Sequence, residues 1–163
     1  MTLEIRAARP HELDTVGEIT AAAYADDGFI YLGHDYVEVL RDATSRAEGA
    51  ELWVAVDADQ EVLGTVTFCP AGSSFRELAG DGEGEFRMLA VHSSARRRGV
   101  ADALVQRCIV RSRELGDHRI VICSDHGMDA AHRLYARLGF RRAPDLDWSP
   151  APGIDLLAFS LDL

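Results

Sequence analysis

Several residue types and patterns are missing from this chain, and each absence narrows what it can be. All 17 basic residues are arginine, and the chain contains neither lysine nor asparagine. These gaps exclude a phosphate loop of the G-x-x-x-x-G-K-[ST] type and an N-glycosylation acceptor. No apolar run approaches the about eighteen residues that a membrane span needs, and Met1-Thr2-Leu3-Glu4 does not begin a signal peptide. We therefore expect a cytoplasmic protein without a membrane partner.

Cysteine is scarce, and the charge is strongly of one sign. Cys69, Cys108 and Cys123 lie in apolar surroundings without a CxxC pair, so we expect reduced, buried thiols. The formal net charge of -10 disfavours a nucleic-acid partner and favours a cationic substrate. The length of 163 residues predicts a single domain over 1–163 with one core.

The stretch from Glu85 to Leu115 organises the chain, because it predicts a strand, a loop and a helix. The strand prediction rests on an apolar run that comprises Phe86, Met88, Leu89 and Val91. Small and apolar residues then recur at helical spacing, namely Ala101, Leu104, Val105, Cys108, Ile109, Ser112 and Leu115. The helix begins within Arg96-Arg97-Arg98-Gly99-Val100-Ala101. Its free N–H groups, three arginines and a glycine that permits close approach predict an anion-binding cradle.

The remaining segments predict an order of elements that mixes strands and helices. Strands are expected over 3–7, 51–56, 62–69, 119–123 and 154–161, with a further strand that begins at 140. Helices are expected over 10–24, 35–47 and 129–138. Loops are expected over 70–84, where the segment is predicted to be mobile beside the active cleft, and over 144–153. Phe29, Ile30, Tyr31 and Tyr36 are predicted to form an aromatic patch before and at the start of the second helix.

Two motifs resemble those of the GNAT superfamily of acyl-CoA-dependent N-acyltransferases. Arg96-x-x-Gly99-x-Ala101 matches the family's [QR]-x-x-G-x-[GA] at a helix start after a strand. Downstream, the segment from Ala131 through Leu134-Tyr135 to Gly139-Phe140 resembles A-x-x-L-Y-x-x-x-G-F. The resemblance covers roughly residues 3 to 163, although the first half matches only in its pattern of elements.

This resemblance implies both a fold and a reaction. The fold is α/β, with a mixed, mostly antiparallel central sheet of about seven strands and about four flanking helices. Its fourth and fifth strands splay apart, and the pantetheine arm of the cofactor enters the gap. The reaction transfers an acetyl group from acetyl-CoA to a primary amine by direct attack in a ternary complex. The acceptor, the length of the acyl group and the formation of a homodimer are left open.

The resemblance also implies which residues bind the cofactor. The backbone of Leu89, Ala90 and Val91 would pair with pantetheine, and Tyr135 would lie near the CoA sulfur. The full implied set is Leu89, Ala90, Val91, Arg96, Arg97, Arg98, Gly99, Val100, Ala101, Ala131 and Tyr135. The chain has Met128 where the family often has asparagine, so Ser124 is a candidate replacement for that polar contact.

Acyl transfer needs a base for the amine and an acid for the departing thiolate. Glu85 occupies the position at which some protein-acetylating family members carry their general base, and Tyr135 matches the family's general acid. His126 is the alternative base, since it lies in a loop after a strand. The cluster of Asp125, His126, Asp129 and His132 is not expected to bind a metal. A non-catalytic acyl-CoA-binding module remains the alternative function, and intact Glu85 and Tyr135 favour the enzyme.

Overall fold

A computed structural model of the chain describes residues 2–27 and 34–163. Its strands are β1 Glu4–Ala7, β2 Glu51–Val56, β3 Val62–Cys69, β4 Glu83–Val91, β5 Arg119–Asp125, β6 Arg141–Arg142, β7 Trp148–Ala151 and β8 Ile154–Asp162. Its α-helices are α1 Leu13–Asp26, α2 His34–Arg41, α3 Ala43–Gly49, α4 Val100–Glu114 and α5 Asp129–Arg137. Short 3₁₀ helices cover Pro10–Glu12, Ser93–Ala95 and Pro144–Leu146.

The predicted mixed α/β fold is confirmed, with eight strands and five α-helices among the described residues. The single helix predicted over 35–47 is instead two helices. The Asp42 carboxylate accepts a hydrogen bond from the Ser45 N–H at 3.0 Å, which caps α3 and restarts the helix there. Of the predicted aromatic patch, Phe29, Ile30 and Tyr31 lie outside the described residues.

The proline-rich segment predicted as a loop contains β7. This strand pairs only with β8 and therefore lies off the main path of the sheet. Pro150 lies between the paired residues Trp148 and Ala151, where the register is irregular, and a proline without an N–H donor is tolerated at such a position.

Helices cover both faces of the sheet, because successive side chains of β2 point to opposite faces and each face is packed against different helices. Val54 and Val56 are fully buried against Val16 of α1 and Ala43 of α3. Ala55 points to the other face and belongs to the large core beneath α4 and α5. Strand β2 is therefore buried on both faces, and the larger core lies on the side that carries the cradle and the tyrosine motif.

The sheet changes direction at one junction. The strand order is β1-β2-β3-β4-β5-β8-β6, and every pair in it is antiparallel except β4 with β5. The parallel pairing of β4 and β5 extends only from Glu83 opposite Arg119 to Glu85 opposite Val121. Beyond that point the two strands separate, as the resemblance implied.

A bulge in β4 lies where the strands separate. Thr65 of β3 pairs with Ala90 and Thr67 pairs with Arg87, so β4 carries one more residue than β3 over this stretch. Met88 lies inside the bulge with a φ of 54°, which is unusual for a residue with a side chain. A bulge of this kind bends a strand and increases its twist, and here it coincides with the opening of the sheet.

We predict that Gly84→Ala destabilises the protein by about 1–3 kcal/mol, the usual cost of overpacking. A Cβ at Gly84 would overlap the Ser112 hydroxyl of α4 and lie 2.9 Å from Asp117 Oδ2. Gly80→Ala is the matched control, because its Cβ would make an ordinary contact of 3.4 Å with Glu83 Oε1. Urea unfolding measures both variants. Equal stability of the two would contradict the tight packing of α4 on β4.

Candidate active site

A cavity of about 400 Å³ fills the gap between β4 and β5. Residues of α1, α2, α5, β7 and β8 complete its walls. Of the predicted catalytic and cofactor-binding residues, three line it, namely Leu89, Ala131 and Tyr135. The others, Glu85, Ala90, Val91 and residues 96–101, lie outside its lining.

The second half of β4 borders the cavity. Among the described residues, β4 has no partner on the β5 side beyond Glu85. Main-chain groups of this stretch that face the gap are therefore available to a ligand. Leu89 lines the gap itself, whereas Ala90 packs against Ile19 and Ala23 of α1, and Val91 pairs with Gly64.

Tyr135 is held by a cluster of aromatic rings. Its ring lies 5.9 Å from Phe86, 5.8 Å from Phe140 and 5.6 Å from Phe159, measured between centroids. The residue is only 3% exposed, and burial raises the pKa of its phenol. The hydroxyl is therefore protonated near neutral pH, which suits a proton or hydrogen-bond donor.

Met128, which replaces the asparagine common in the resembled family, also lines the cavity. The Ser124 hydroxyl donates a hydrogen bond to Met128 Sδ over 3.4 Å. Ser124, the predicted replacement for that polar contact, also lines the cavity, but its hydroxyl is engaged by the thioether.

The predicted cradle is open at its centre. Gly99 is the N-cap of α4 and has a φ of +78°, a conformation that side chains disfavour. A Cβ there would meet nothing within 4 Å, so the space above the helix start is accessible. Arg97 also has a positive φ of 60°, and Arg96 forms an ion pair with Asp26 at the end of α1 at 3.3 Å.

An exposed arginine precedes α4, and the first residues of the helix itself are packed against the core. The Arg98 side chain is exposed and approaches the Ser94 carbonyl at 3.5 Å. Val100 is buried in the core, and Ala101 packs against the same core. The contribution of Val100 to a ligand would therefore come from its backbone N–H rather than from its side chain.

The carboxylate of Glu85 is engaged by a loop. The residue is completely buried, and Oε1 accepts hydrogen bonds from the N–H groups of Glu77, Leu78 and Ala79 at 3.1, 2.9 and 3.0 Å. Oε2 lies 3.1 Å from the Glu77 nitrogen as well. Glu85 thus satisfies three consecutive backbone donors of the segment 70–82.

That same segment brings a second glutamate to the cavity. Glu77 lines the cavity, and its Oε1 lies 2.5 Å from Nε of Arg87 on β4. Arg87 also donates from Nη1 to the Phe75 carbonyl at 3.1 Å. Desolvation raises the pKa of Glu77 despite the neighbouring guanidinium. The sequence analysis missed this pair: Glu77 belongs to no motif, and the only signal for Arg87 was a charge within an apolar strand.

Two further carboxylates line the cavity. Desolvation raises the pKa of Asp27, and Asp125 is buried and accepts a hydrogen bond from the Gly127 N–H at 2.9 Å. His126 Nδ1 lies 3.5 Å from Asp125 Oδ1, but the His126 side chain is 60% exposed and is not part of the lining. Among the described residues, the lining thus contains three carboxylates and one guanidinium.

The three cysteines are free thiols, with Cys69 and Cys108 buried and Cys123 half-buried at the cavity wall. Burial raises the pKa of Cys123 to about 11, so its thiol is protonated at neutral pH.

Within 2–27 and 34–163, no three or more His, Cys, Asp or Glu side chains converge as metal ligands would. In the same ranges, no helix has both the length and the apolar character to cross a bilayer.

A second groove, of about 440 Å³, lies between β1, β2, α3 and α4. The guanidinium of Arg107 covers the ring of Trp53 there, with 4.4 Å between its carbon and the ring centroid. None of the lining residues of this groove is among those predicted for the site.

The fold is shared with several solved acetyltransferase structures. An acetyltransferase of the GNAT family from Staphylococcus aureus aligns with a TM-score of 0.77 at 16% identity, over 99% of each chain. A GCN5-related N-acetyltransferase from Kribbella flavida aligns at 0.73 and 24% identity, over 99% of this chain and 98% of the other. A ribosomal-protein-alanine N-acetyltransferase from Brucella melitensis aligns at 0.69 and 21% identity, over 98% and 99%. At such identities the likeness supports the fold.

The sequence comparison identifies the family. No curated protein matches the chain. Residues 17–140, in contrast, match the model of the Acetyltransferase (GNAT) family, and this range includes both α4 with its cradle and α5 with Tyr135. The match covers well over half of the 163 residues. The chain therefore belongs to the GNAT family of acetyltransferases.

Proposed function

We propose that this protein transfers an acetyl group from acetyl-CoA to a primary amine, by direct attack of the amine in a ternary complex. Acetyl-CoA is the donor that membership of the family implies. The observation that carries the proposal is the cavity between β4 and β5, which Leu89, Tyr135 and Glu77 line together.

Binding of the donor would rest on two parts of the chain. The open cradle at Gly99 suits a pyrophosphate, since the α4 N-terminus supplies N–H groups and the positive end of a helix dipole. Arg96, Arg97 and Arg98 add positive charge around it. The unpaired edge of β4 at Leu89 suits the amide groups of a pantetheine arm, and Ala131 leaves room beside it.

The attacking amine must first lose its proton. Glu77 is our candidate for the group that accepts it, because it lines the cavity and desolvation raises the pKa of its carboxyl group. Glu85 stays a prediction for this role, but a direct contact with substrate is disfavoured by its complete burial and its three amide donors. His126 also stays a prediction, with its exposed side chain outside the lining.

The thiolate that leaves must be stabilised, and Tyr135 is the proposed proton donor. Its phenol stays protonated, since burial raises its pKa, and the aromatic cluster fixes the direction of the ring.

The carboxylates of Asp27 and Asp125 give the cavity an excess of negative charge, which favours an acceptor that arrives as an ammonium ion.

Release of free CoA thiol in the presence of an amine distinguishes the enzyme from a non-catalytic acyl-CoA-binding module. The assay uses acetyl-CoA and a panel of diamines, amino-acid amides and peptides with free N-termini. Thiol release that requires the amine supports the enzyme. Tight acetyl-CoA binding without thiol release for any amine would support the binding module instead.

Gly99→Val is predicted to weaken acetyl-CoA binding by at least about tenfold, comparable to the loss of one charge-assisted hydrogen bond. Valine would fill the open space at the cradle and disfavour the positive φ. Gly116→Val is the matched control, because Gly116 has a φ of +79°, equally open surroundings, and lies just beyond the other end of α4. Calorimetric titration should show the affinity loss only for Gly99→Val. The same loss in both variants would point to helix strain instead of a cradle.

Tyr135→Phe should lower turnover by roughly 100-fold or more while acetyl-CoA affinity hardly changes, since a general acid contributes about 10²–10⁴. The substitution removes only the hydroxyl and keeps the ring among Phe86, Phe140 and Phe159. Steady-state kinetics and a binding titration provide the two readouts. Unchanged turnover would leave Tyr135 with a packing role alone.

Glu77→Gln should lower turnover by about 10²–10⁴ and remove the acidic limb of the pH–rate profile. A base acts when deprotonated, so the wild-type rate rises as the pH passes through the pKa of Glu77, which desolvation raises. A carboxamide cannot take up the proton at any pH in this range. The measurement is the pH–rate profile of the wild type and of Glu77→Gln with the same amine. A Glu77→Gln enzyme that keeps the acidic limb and a near-normal rate would return the role to Glu85 or His126.

A further inference from the structure

The segment 70–82 is attached to the sheet by polar contacts, most of them part-buried. The Arg76 side chain donates to the carbonyls of Cys69, Pro70 and Gly80 at 3.1, 3.0 and 3.1 Å, and also to that of Glu83. These bonds close the two ends of the segment onto each other. They leave the backbone donors of Glu77, Leu78 and Ala79 to a different acceptor.

That acceptor is Glu85. A buried carboxylate without partners would carry a large desolvation cost, and three converging N–H groups offset it. All three N–H groups point to the same oxygen, Oε1, and their nitrogens lie within 3.1 Å of it. Breaking this contact would release the backbone that carries Glu77.

The register of β4 couples this contact to the cavity. Glu85 and Arg87 are two residues apart on one strand, and the loop is bound to both of them. Glu85 holds the backbone of residues 77–79, while Arg87 holds the Glu77 carboxylate at 2.5 Å and the Phe75 carbonyl at 3.1 Å. With its backbone and its carboxylate both fixed, Glu77 faces the cavity in one orientation.

We propose that Glu85 is a positioning residue, whose buried carboxylate docks the backbone of residues 77–79 and thereby fixes Glu77 as the group that accepts the amine proton. This inference rests on the proposed acetyl transfer. It assigns the two glutamates different tasks: Glu77 contacts the substrate, and Glu85 acts only through Glu77.

A double-mutant cycle tests the coupling. Glu85→Gln should lower turnover by at least about tenfold in the wild-type background. Its oxygen can replace only Oε1, its NH₂ group then opposes the Glu77 N–H that Oε2 now accepts, and the three amides lose a charged acceptor. In the Glu77→Gln background the same change should have an effect of less than about threefold, because the group that it positions is already inactive. Equal factors in both backgrounds would overturn the proposal.

The pH profile separates positioning from direct catalysis. Glu85→Gln should keep the acidic limb at a lower rate, since Glu77 still titrates. Loss of the limb in Glu85→Gln, with its retention in Glu77→Gln, would make Glu85 the base and overturn the proposal. Glu83→Gln is the matched control: Glu83 is also buried on β4 and accepts the Gly80 N–H of the same loop at 2.8 Å. Glu83→Gln should lower the melting temperature, and this decrease should be the same whether residue 77 is Glu or Gln.

Amide hydrogen exchange in the wild-type protein tests the docking even if a variant fails to fold. The amides of Glu77, Leu78 and Ala79 should exchange at least about tenfold more slowly than those of Gly72 and Ser74 in the same loop. Equal exchange would overturn the docking whatever the activity. If these amides are protected but no amine releases thiol, the proposed function fails while the docking contact stands.

Discussion

The extra residue that β4 carries at Met88 is the constraint on which the site depends. Strands β4 and β5 begin as an ordinary parallel pair, and their ladder extends only as far as Glu85 and Val121. The bulge changes the direction of β4 where a continuous ladder would otherwise close the sheet. The cavity exists because those backbone partners are separated, and the same separation exposes the edge of β4 at Leu89 to a ligand.

The second constraint comes from two charged side chains that lie two residues apart on β4 and are largely shielded from solvent. Glu85 and Arg87 both lie on β4, and each is satisfied by the loop 70–82, through amide donors in one case and through Glu77 in the other. An ionised group in such surroundings is stable only with its partners in place. The contacts that satisfy Glu85 and Arg87 therefore also fix the loop, and the fixed loop brings Glu77 to the cavity.

Much of the framework follows from sequence patterns, while the detailed chemistry of the cavity does not. Apolar periodicity predicted the strand that contains Leu89, the helix that starts after Gly99 and the stripe that presents Tyr135, because these depend on local spacing. The bulge at Met88 is a matter of register between two strands, which periodicity within one strand does not specify.

The same distinction explains which residues were missed. Glu77 comes to the cavity because its loop folds back onto β4, a contact between distant segments that no motif marks. Glu85 was predicted as the general base, but the partner of its carboxylate depends on that same loop. The capping of α3 by Asp42 also shows how a local side-chain contact can divide a segment that apolar spacing alone joins into one helix.

A crystal structure of the protein with bound CoA tests the central claim, that the gap between β4 and β5 is where donor and acceptor meet. We predict electron density for the pantetheine arm between β4 and β5 beside Leu89, with the pyrophosphate against the backbone of residues 97–101. Density for CoA in the groove beside Trp53 and Arg107, with the gap between β4 and β5 left empty, would contradict the account.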